Sequence, residues 1–239
     1  MSHIRSFLFK GIFYFWSFLC CLVALPLLYL PYCQPKWLIG IQTVWSRSIL
    51  ILLRVIMGLK IDIQGRENIP LGGALIAAKH QSSFDTFVMH SIIHAPAFIM
   101  KKELLKIPLY GRFCEKTGMI PIDRDGGSKS MRALLKRTKE EIGEQRPVII
   151  FPEGSRSVPG SHLPYQPGIY GIYKFLKMPV VPLALNSGVY WPKNGSLQAG
   201  GTIVLKFLSP ILPGKEKEEF LTELENSIEH ASIQLLQAN

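Results

Sequence analysis

Two long apolar stretches open the chain, and only after them does the pattern become an alternation of short apolar runs with polar, helix-like segments. Ile12 to Leu30 carries no charged residue and is rich in Phe, Trp, Tyr and Leu. Its length matches the roughly 20 residues that cross a bilayer core. Trp37 to Leu59 is also apolar but contains Arg47 and Arg54. Seven positions apart, these two share one helical face, which suits an interfacial or tilted helix better than a clean span. Pro31 and Pro35 separate the stretches. The pattern predicts a helical hairpin that dips into one leaflet or crosses twice, returning the chain to the side of its N-terminus.

From Ile61 onward the runs Ala74 to Ala78, Ala97 to Met100, Met119 to Ile122, Val148 to Phe151, Val180 to Leu185 and Thr202 to Leu208 read as strands. Helix-like segments lie between most of them, as one α/β domain requires. The division expected is therefore a membrane-anchoring helical pair over 1–59 and an α/β domain over 60–239. A secretory signal peptide is the competing reading of the first run, since Arg5 and Lys10 precede it, but a small-residue cleavage site is missing.

Candidate chemistry falls at the ends of the strand-like runs. His80 follows the first, Lys101 the second, Asp123 and Arg124 the third, and Glu153, Gly154, Ser155 and Arg156 the fourth. Open α/β sheets bind ligands off the carboxyl ends of their strands, so these residues can converge. In Lys79-His80-Gln81-Ser82-Ser83-Phe84-Asp85 a strand delivers the imidazole, and Ser82 or Ser83 is a candidate cap for the helix that follows. Inside one regular helix, residues five apart point about 140° away from each other, so His80 and Asp85 work best as a pair where a loop becomes a helix. Asp85 also fits a capping box with Ser82, in which it serves the helix terminus alone. Arg124 and Arg156 are suited to bidentate contact with phosphate oxygens, Lys101 adds a point charge, and Gly154 allows close backbone approach to an anion. Glu153 can orient Arg156, accept from a substrate hydroxyl, or close a turn as a local ion pair.

Charge narrows the partners. A net charge of +10 suggests nucleic acid first, yet the apolar N-terminus turns the inference toward anionic lipid. A basic helix is expected over Ser128 to Glu144. Cys20, Cys21, Cys33 and Cys114 form no Cys-x-x-Cys pair, and His90 and His94 lack the Glu of a zinc-binding His-Glu-x-x-His, so no metal site is expected. No Gly-x-Ser-x-Gly elbow of a serine hydrolase occurs.

With these residues in view, the chain resembles the glycerolipid acyltransferases, and most of all the lysophosphatidic acid acyltransferases. His80 with Asp85, Ile122-Asp123-Arg124, Phe151-Pro152-Glu153-Gly154-Ser155-Arg156 and Val180-Val181-Pro182-Leu183 look like the four ordered motifs of that family. Met100-Lys101-Lys102-Glu103-Leu104 is similar to its Lys-x-Glu-Leu element, which matches Lys101 to the phosphate-binding lysine. The likeness runs from about Ile61 to Leu208, with Ser155 standing where Thr is commoner. The resemblance implies a mixed sheet flanked by helices and preceded by a membrane-embedded helical pair. It implies acyl transfer from acyl-CoA or acyl carrier protein to the sn-2 hydroxyl of 1-acylglycerol 3-phosphate, without metal, cofactor or covalent intermediate. On this reading His80 and Asp85 are catalytic, and Lys101, Arg124, Glu153, Gly154, Ser155 and Arg156 bind substrate. The partners would be a lysophospholipid, a thioester donor and membrane lipid, with no nucleic acid, and the site would face the cytoplasm at a bacterial-type inner membrane. Two alternatives stay open: another lysolipid acceptor such as lyso-ornithine lipid, and a non-catalytic protein that binds anionic lipid.

Overall fold

The computed structural model describes residues 2–124 and 126–237. Helix α1 (Ser2–Tyr29) and helix α2 (Pro35–Leu52, extended by a π-helical turn to Met57) form an antiparallel pair, and Gly58 ends it with φ at +69°. Strands β1 (Lys60–Gln64), β2 (Leu75–Ala78), β3 (Ala97–Lys101), β4 (Ile120–Ile122), β5 (Val148–Ile150), β6 (Val180–Leu185) and β7 (Thr202–Phe207) follow. They alternate with helices α3 (Phe84–Ile92), α4 (Tyr110–Lys116), α5 (Gly127–Gly143), α6 (Gly168–Leu176), α7 (Ser187–Tyr190) and α8 (Lys217–Gln237).

The sheet is mixed, in the order β1-β7-β6-β2-β5-β3-β4. All neighbours are parallel except β6 and β7. Central β2 is buried on both faces, as its unbroken apolar sequence requires. Its alternate residues feed two cores. Ile76 and Ala78 join Phe84, Val88 and Val181 on the α3 side, whereas Leu75 and Ala77 join Leu134, Ile172, Phe220 and Leu224 beneath α5, α6 and α8. Edge strand β1 alternates half-buried Ile61 and Ile63 with exposed Lys60, Asp62 and Gln64. Charged outward positions of this kind discourage edge-to-edge pairing.

The helical pair is docked on the body and shares its core. Phe9, Ile49, Leu53 and Met57 are fully buried in the same cluster as Ile76 and Val181. Phe9 meets Trp191 edge to face at 5.4 Å, and Trp45 meets Phe87 at 5.5 Å. Ser46 Oγ donates to Phe87 O of α3 at 2.5 Å, and within the pair Trp16 Nε1 donates to Ser48 Oγ at 2.6 Å and Trp45 Nε1 to Ser17 Oγ at 2.9 Å. The outward side is different. Phe7, Phe15, Phe18, Val23, Trp37, Val44, Ile51 and Val55 are exposed, and both helices are long and apolar enough to cross a membrane. Arg47 and Arg54 are also exposed. An apolar surface of this extent marks a contact site, and a lipid phase suits its composition.

Deleting buried ring atoms costs the transfer free energy plus that of the cavity left behind. Phe9→Ala should therefore destabilise the protein by about 3–5 kcal/mol, measured as loss of thermal or denaturant stability in detergent. A pair merely tethered to the body would lose almost nothing.

Candidate active site

Four of the parallel strands carry the chemistry to one edge of the sheet. Beyond β2 stand Lys79 and His80, at the end of β3 Lys101, beyond β4 Asp123 and Arg124, and beyond β5 the segment 151–156. The turn after β2 places His80 Nδ1 3.0 Å from Asp85 Oδ2, with Asp85 in the first turn of α3. Asp85 is fully buried. Its Oδ2 also accepts from the backbone N–H of Gln81 at 2.7 Å and of Ser82 at 2.8 Å, and its Oδ1 accepts a short hydrogen bond from Ser187 Oγ. A buried carboxylate needs such donors, and they fix it as the partner that orients the ring. With Nδ1 donating to Asp85, Nε2 is the nitrogen left to take a proton. The ring lies against Phe151, with centroids 4.1 Å apart and planes 20° from parallel.

The helix cap differs in detail from the expectation. Ser83 occupies the N-cap position without a side-chain cap bond, while Ser82 Oγ accepts from Phe84 N–H at 3.1 Å. Asp85 thus serves both the turn and the imidazole, and its terminus-stabilising and ring-orienting roles coincide.

Around His80 lies a cavity of about 640 Å³. Lys101, Arg124, Ser155, Arg156 and Lys193 give it a cationic and polar lining, and Phe87, Phe98, Met100, Leu104, Phe113 and Met119 an apolar one. Gln42 and Trp45 of α2 reach it as well, so the helical pair walls the site. Apolar cavities of a few hundred Å³ with a few placed polar groups are the usual form of small-molecule sites.

The cations are held by different means. Arg124 donates from Nη2 to Gly154 O at 3.0 Å, and Arg156 donates from Nη1 to Ser83 Oγ at 3.0 Å. Lys102 is drawn to Asp123 at 3.1 Å, while Lys101 faces the cavity. Gly154 has φ at +68°, and a Cβ there would run into the Arg124 guanidinium. Its own N–H donates to Phe151 O at 2.9 Å. Here the glycine provides room for Arg124; the anion-facing N–H expected of it is used in the turn.

Glu153 stands apart from Arg156 and from the cavity lining. It is buried, accepting from Lys79 Nζ at 2.9 Å, Leu163 N–H at 3.0 Å and Ser157 Oγ at 3.1 Å. The expected contact with Arg156 or a substrate hydroxyl gives way to a prop beneath the turn that carries His80, because a buried carboxylate pairs with the buried ammonium nearest to it. Ser187, Gln42 and Lys193 carry no reading in the sequence, and Phe151 enters there only as the last residue of a strand-like run and the first of a motif. Ser187 had a signal available, since it follows β6 just as the other site residues follow their strands.

His90 and His94 part company. His94 is exposed beyond the end of α3, whereas His90 is buried in the cavity wall with Nε2 2.8 Å from Gln42 Nε2. Burial, with the Arg146 charge adding to it, lowers the His90 pKa to about 3. Among the described residues no group of three or more His, Cys, Asp or Glu is arranged to hold a metal ion.

An imidazole held by a buried carboxylate thus opens on one cavity with a cationic rim and an apolar lining. Residues 60–186 match the sequence profile of the family described as Acyltransferase, and the chain belongs to that family. It is 34% identical over 159 residues to a 1-acyl-sn-glycerol-3-phosphate acyltransferase of Pseudomonas aeruginosa, covering 66% of this chain and 62% of the relative. It is 37% identical over 122 residues to one of Helicobacter pylori, covering 49% and 50%. The chain thus spans between half and two thirds of these curated relatives. The solved structure of the 1-acyl-sn-glycerophosphate (LPA) acyltransferase PlsC from Thermotoga maritima has the same fold, with a TM-score of 0.78, 22% identity and coverage of 100% of this chain and 99% of that one.

His90 predicts a pH effect whose sign is fixed. Its folded pKa lies below the unfolded value of about 6.5, so the unfolded state alone binds the proton as pH falls, and stability is lost below about pH 6.5. The loss approaches about 1.4 kcal/mol per pH unit from this group. Denaturation of His90→Gln between pH 7 and pH 4.5 should show a shallower decline than the parent; parallel curves would contradict the assignment.

Proposed function

We propose that the protein transfers a fatty acyl group from a thioester, acyl-CoA or acyl carrier protein, to the sn-2 hydroxyl of 1-acylglycerol 3-phosphate, forming phosphatidic acid. The observation that carries this reading is the single cavity lined at once by His80, by Lys101, Arg124 and Arg156, and by an apolar wall. A lysophospholipid has the matching parts, a hydroxyl, a phosphate and an acyl chain. The names of the curated relatives support the same acceptor.

The chemistry follows from the geometry. His80 Nε2 takes the proton of the acceptor hydroxyl as its oxygen forms a bond to the thioester carbonyl carbon. The carbon–sulfur bond then breaks, and the proton on His80 passes to the departing thiolate. Asp85 holds the ring by Nδ1 and offsets the charge of the imidazolium while it exists. The three cations hold the phosphate by charge-assisted hydrogen bonds and set the distance between hydroxyl and base.

On this reading the exposed apolar side of the helical pair rests in a membrane, and the acceptor enters from it; the length and composition of the two helices support the membrane contact. Arg5 and Lys10 and the basic charge balance favour the cytoplasmic face. Gln42 and Trp45 make the anchor part of the cavity wall, so removing residues 1–59 should abolish activity as well as release the protein from membranes.

The test is thioester-dependent acylation by purified protein in detergent, with 1-acylglycerol 3-phosphate, lyso-ornithine lipid and glycerol 3-phosphate as acceptors. Turnover is expected on the first, with kcat reduced on the order of 10²- to 10⁴-fold by His80→Ala. Activity confined to another acceptor would overturn the substrate, and transfer indifferent to His80→Ala would overturn the mechanism. Arg156→Ala should raise the KM for the phosphate-bearing acceptor by about tenfold or more while altering kcat less, the signature of a lost charge-assisted contact. An unchanged KM would remove Arg156 from the phosphate site.

A further inference from the structure

Lys79, immediately before the base, is 1% exposed. A buried ammonium is stable only where acceptors meet its N–H groups, and carboxylates must balance its charge. Nζ donates to Glu153 Oε1 at 2.9 Å, to Ser161 O at 3.0 Å and to both carboxylate oxygens of Glu229 at 2.7 and 2.9 Å. Glu229 lies on α8, far along the chain and outside the region that matches the family. Its Oε1 also accepts from the Tyr165 hydroxyl at 2.9 Å. Burial, with Glu229 adding to it, pushes the Tyr165 pKa up, which keeps that hydroxyl a donor.

From Lys79 the network continues into the backbone of the base. Glu153 Oε2 accepts from Ser157 Oγ at 3.1 Å and from His80 N–H at 3.4 Å. Ser157 in turn donates to His80 O from its N–H at 2.8 Å and from Oγ at 3.2 Å. Both peptide groups of His80 are thus gripped by the pair Glu153 and Ser157. Glu153 is itself held by Lys79, and the other carboxylate on Lys79 comes from α8. Neutralising Glu229 would leave Lys79 with one ionic partner and pull it deeper onto Glu153. That carboxylate would then shift with respect to His80 and Leu163.

We infer that Glu229 is a positioning residue for His80: through Lys79 and Glu153 the C-terminal helix sets the placement of the base. The inference rests on the reading of His80 as the base. Neither Glu229 nor Lys79 lines the cavity, so their effect falls on turnover and leaves acceptor binding to Lys101, Arg124 and Arg156.

The test compares Glu229→Gln, Glu229→Asp, Tyr165→Phe and His80→Ala in the full chain, with 1-acylglycerol 3-phosphate as acceptor and the folded fraction fixed by thermal unfolding. A displacement of about 1 Å at a reacting group can cost up to about 10²-fold in rate. Glu229→Gln should accordingly lower kcat of the folded protein by about 10- to 100-fold, with acceptor KM within about twofold of the parent. Glu229→Asp, which keeps the charge, should recover part of the loss. Tyr165→Phe keeps the ring and the fold, and should lower kcat by a smaller factor in the same KM-independent way. It decides the matter if Glu229→Gln does not fold. An unchanged kcat in folded Glu229→Gln, or in Tyr165→Phe should the former not fold, would overturn the inference while an inactive His80→Ala left the base in place. An active His80→Ala would overturn both.

Discussion

The site depends on one constraint, that the buried carboxylate of Asp85 must be met by donors on every side. Two backbone N–H groups, the Ser187 hydroxyl and the His80 ring meet it. The ring and both N–H groups come from the turn after β2, and the hydroxyl from the start of α7. Satisfying the charge therefore builds the geometry. A carboxylate left short of donors would cost several kcal/mol or take up a proton, and either outcome would release the imidazole. The same rule operates one layer down, where Glu153 and Glu229 both meet the buried ammonium of Lys79 beneath the turn that presents His80.

The sheet gives these charges their common address. Parallel β2, β3, β4 and β5 end on one edge, so an imidazole, two guanidinium groups and an ammonium from four segments face a single cavity. The helical pair supplies what the sheet cannot, an apolar exterior continuous with an apolar wall. The cavity thus joins a cationic rim to an apolar wall, the combination on which the proposed lysophospholipid acceptor rests. Docking the pair through Phe9, Trp45 and Ser46 makes the anchor a structural member of the site.

Much of this was legible in the chain because its signals are local. The apolar runs before Ile61 gave the helical pair, alternating runs gave six of the seven strands, and the mixed sheet followed from the family likeness. Strand β1 escaped notice because Lys60–Gln64 is short, alternates with charge and directly follows an apolar helix. Helix α8 escaped because its charged surface hides a stripe of Phe220, Leu224 and Ile228 that only the core beneath the sheet explains. Within the site, His80, Lys101, Arg124 and Arg156 are legible as strand-end residues and Asp85 as the acid at the start of the helix after His80, and the structure brings them together. Glu153 was found for the wrong partner. Its true neighbour, Lys79, stands 74 positions away, and nothing in a sequence tells which buried cation a carboxylate meets after folding. Phe151 stacks on the imidazole and Ser187 donates to the carboxylate that holds it, relations that spacing does not encode.

The central claim is that base and anion grip act on one molecule in one cavity, and a structure with 1-acylglycerol 3-phosphate bound tests it most directly. The account predicts the phosphate among Lys101, Arg124 and Arg156, with the sn-2 hydroxyl within hydrogen-bond reach of His80 Nε2, at about 2.6–3.2 Å. A phosphate seated away from those cations, or a hydroxyl turned from His80 while the phosphate is held, would contradict it.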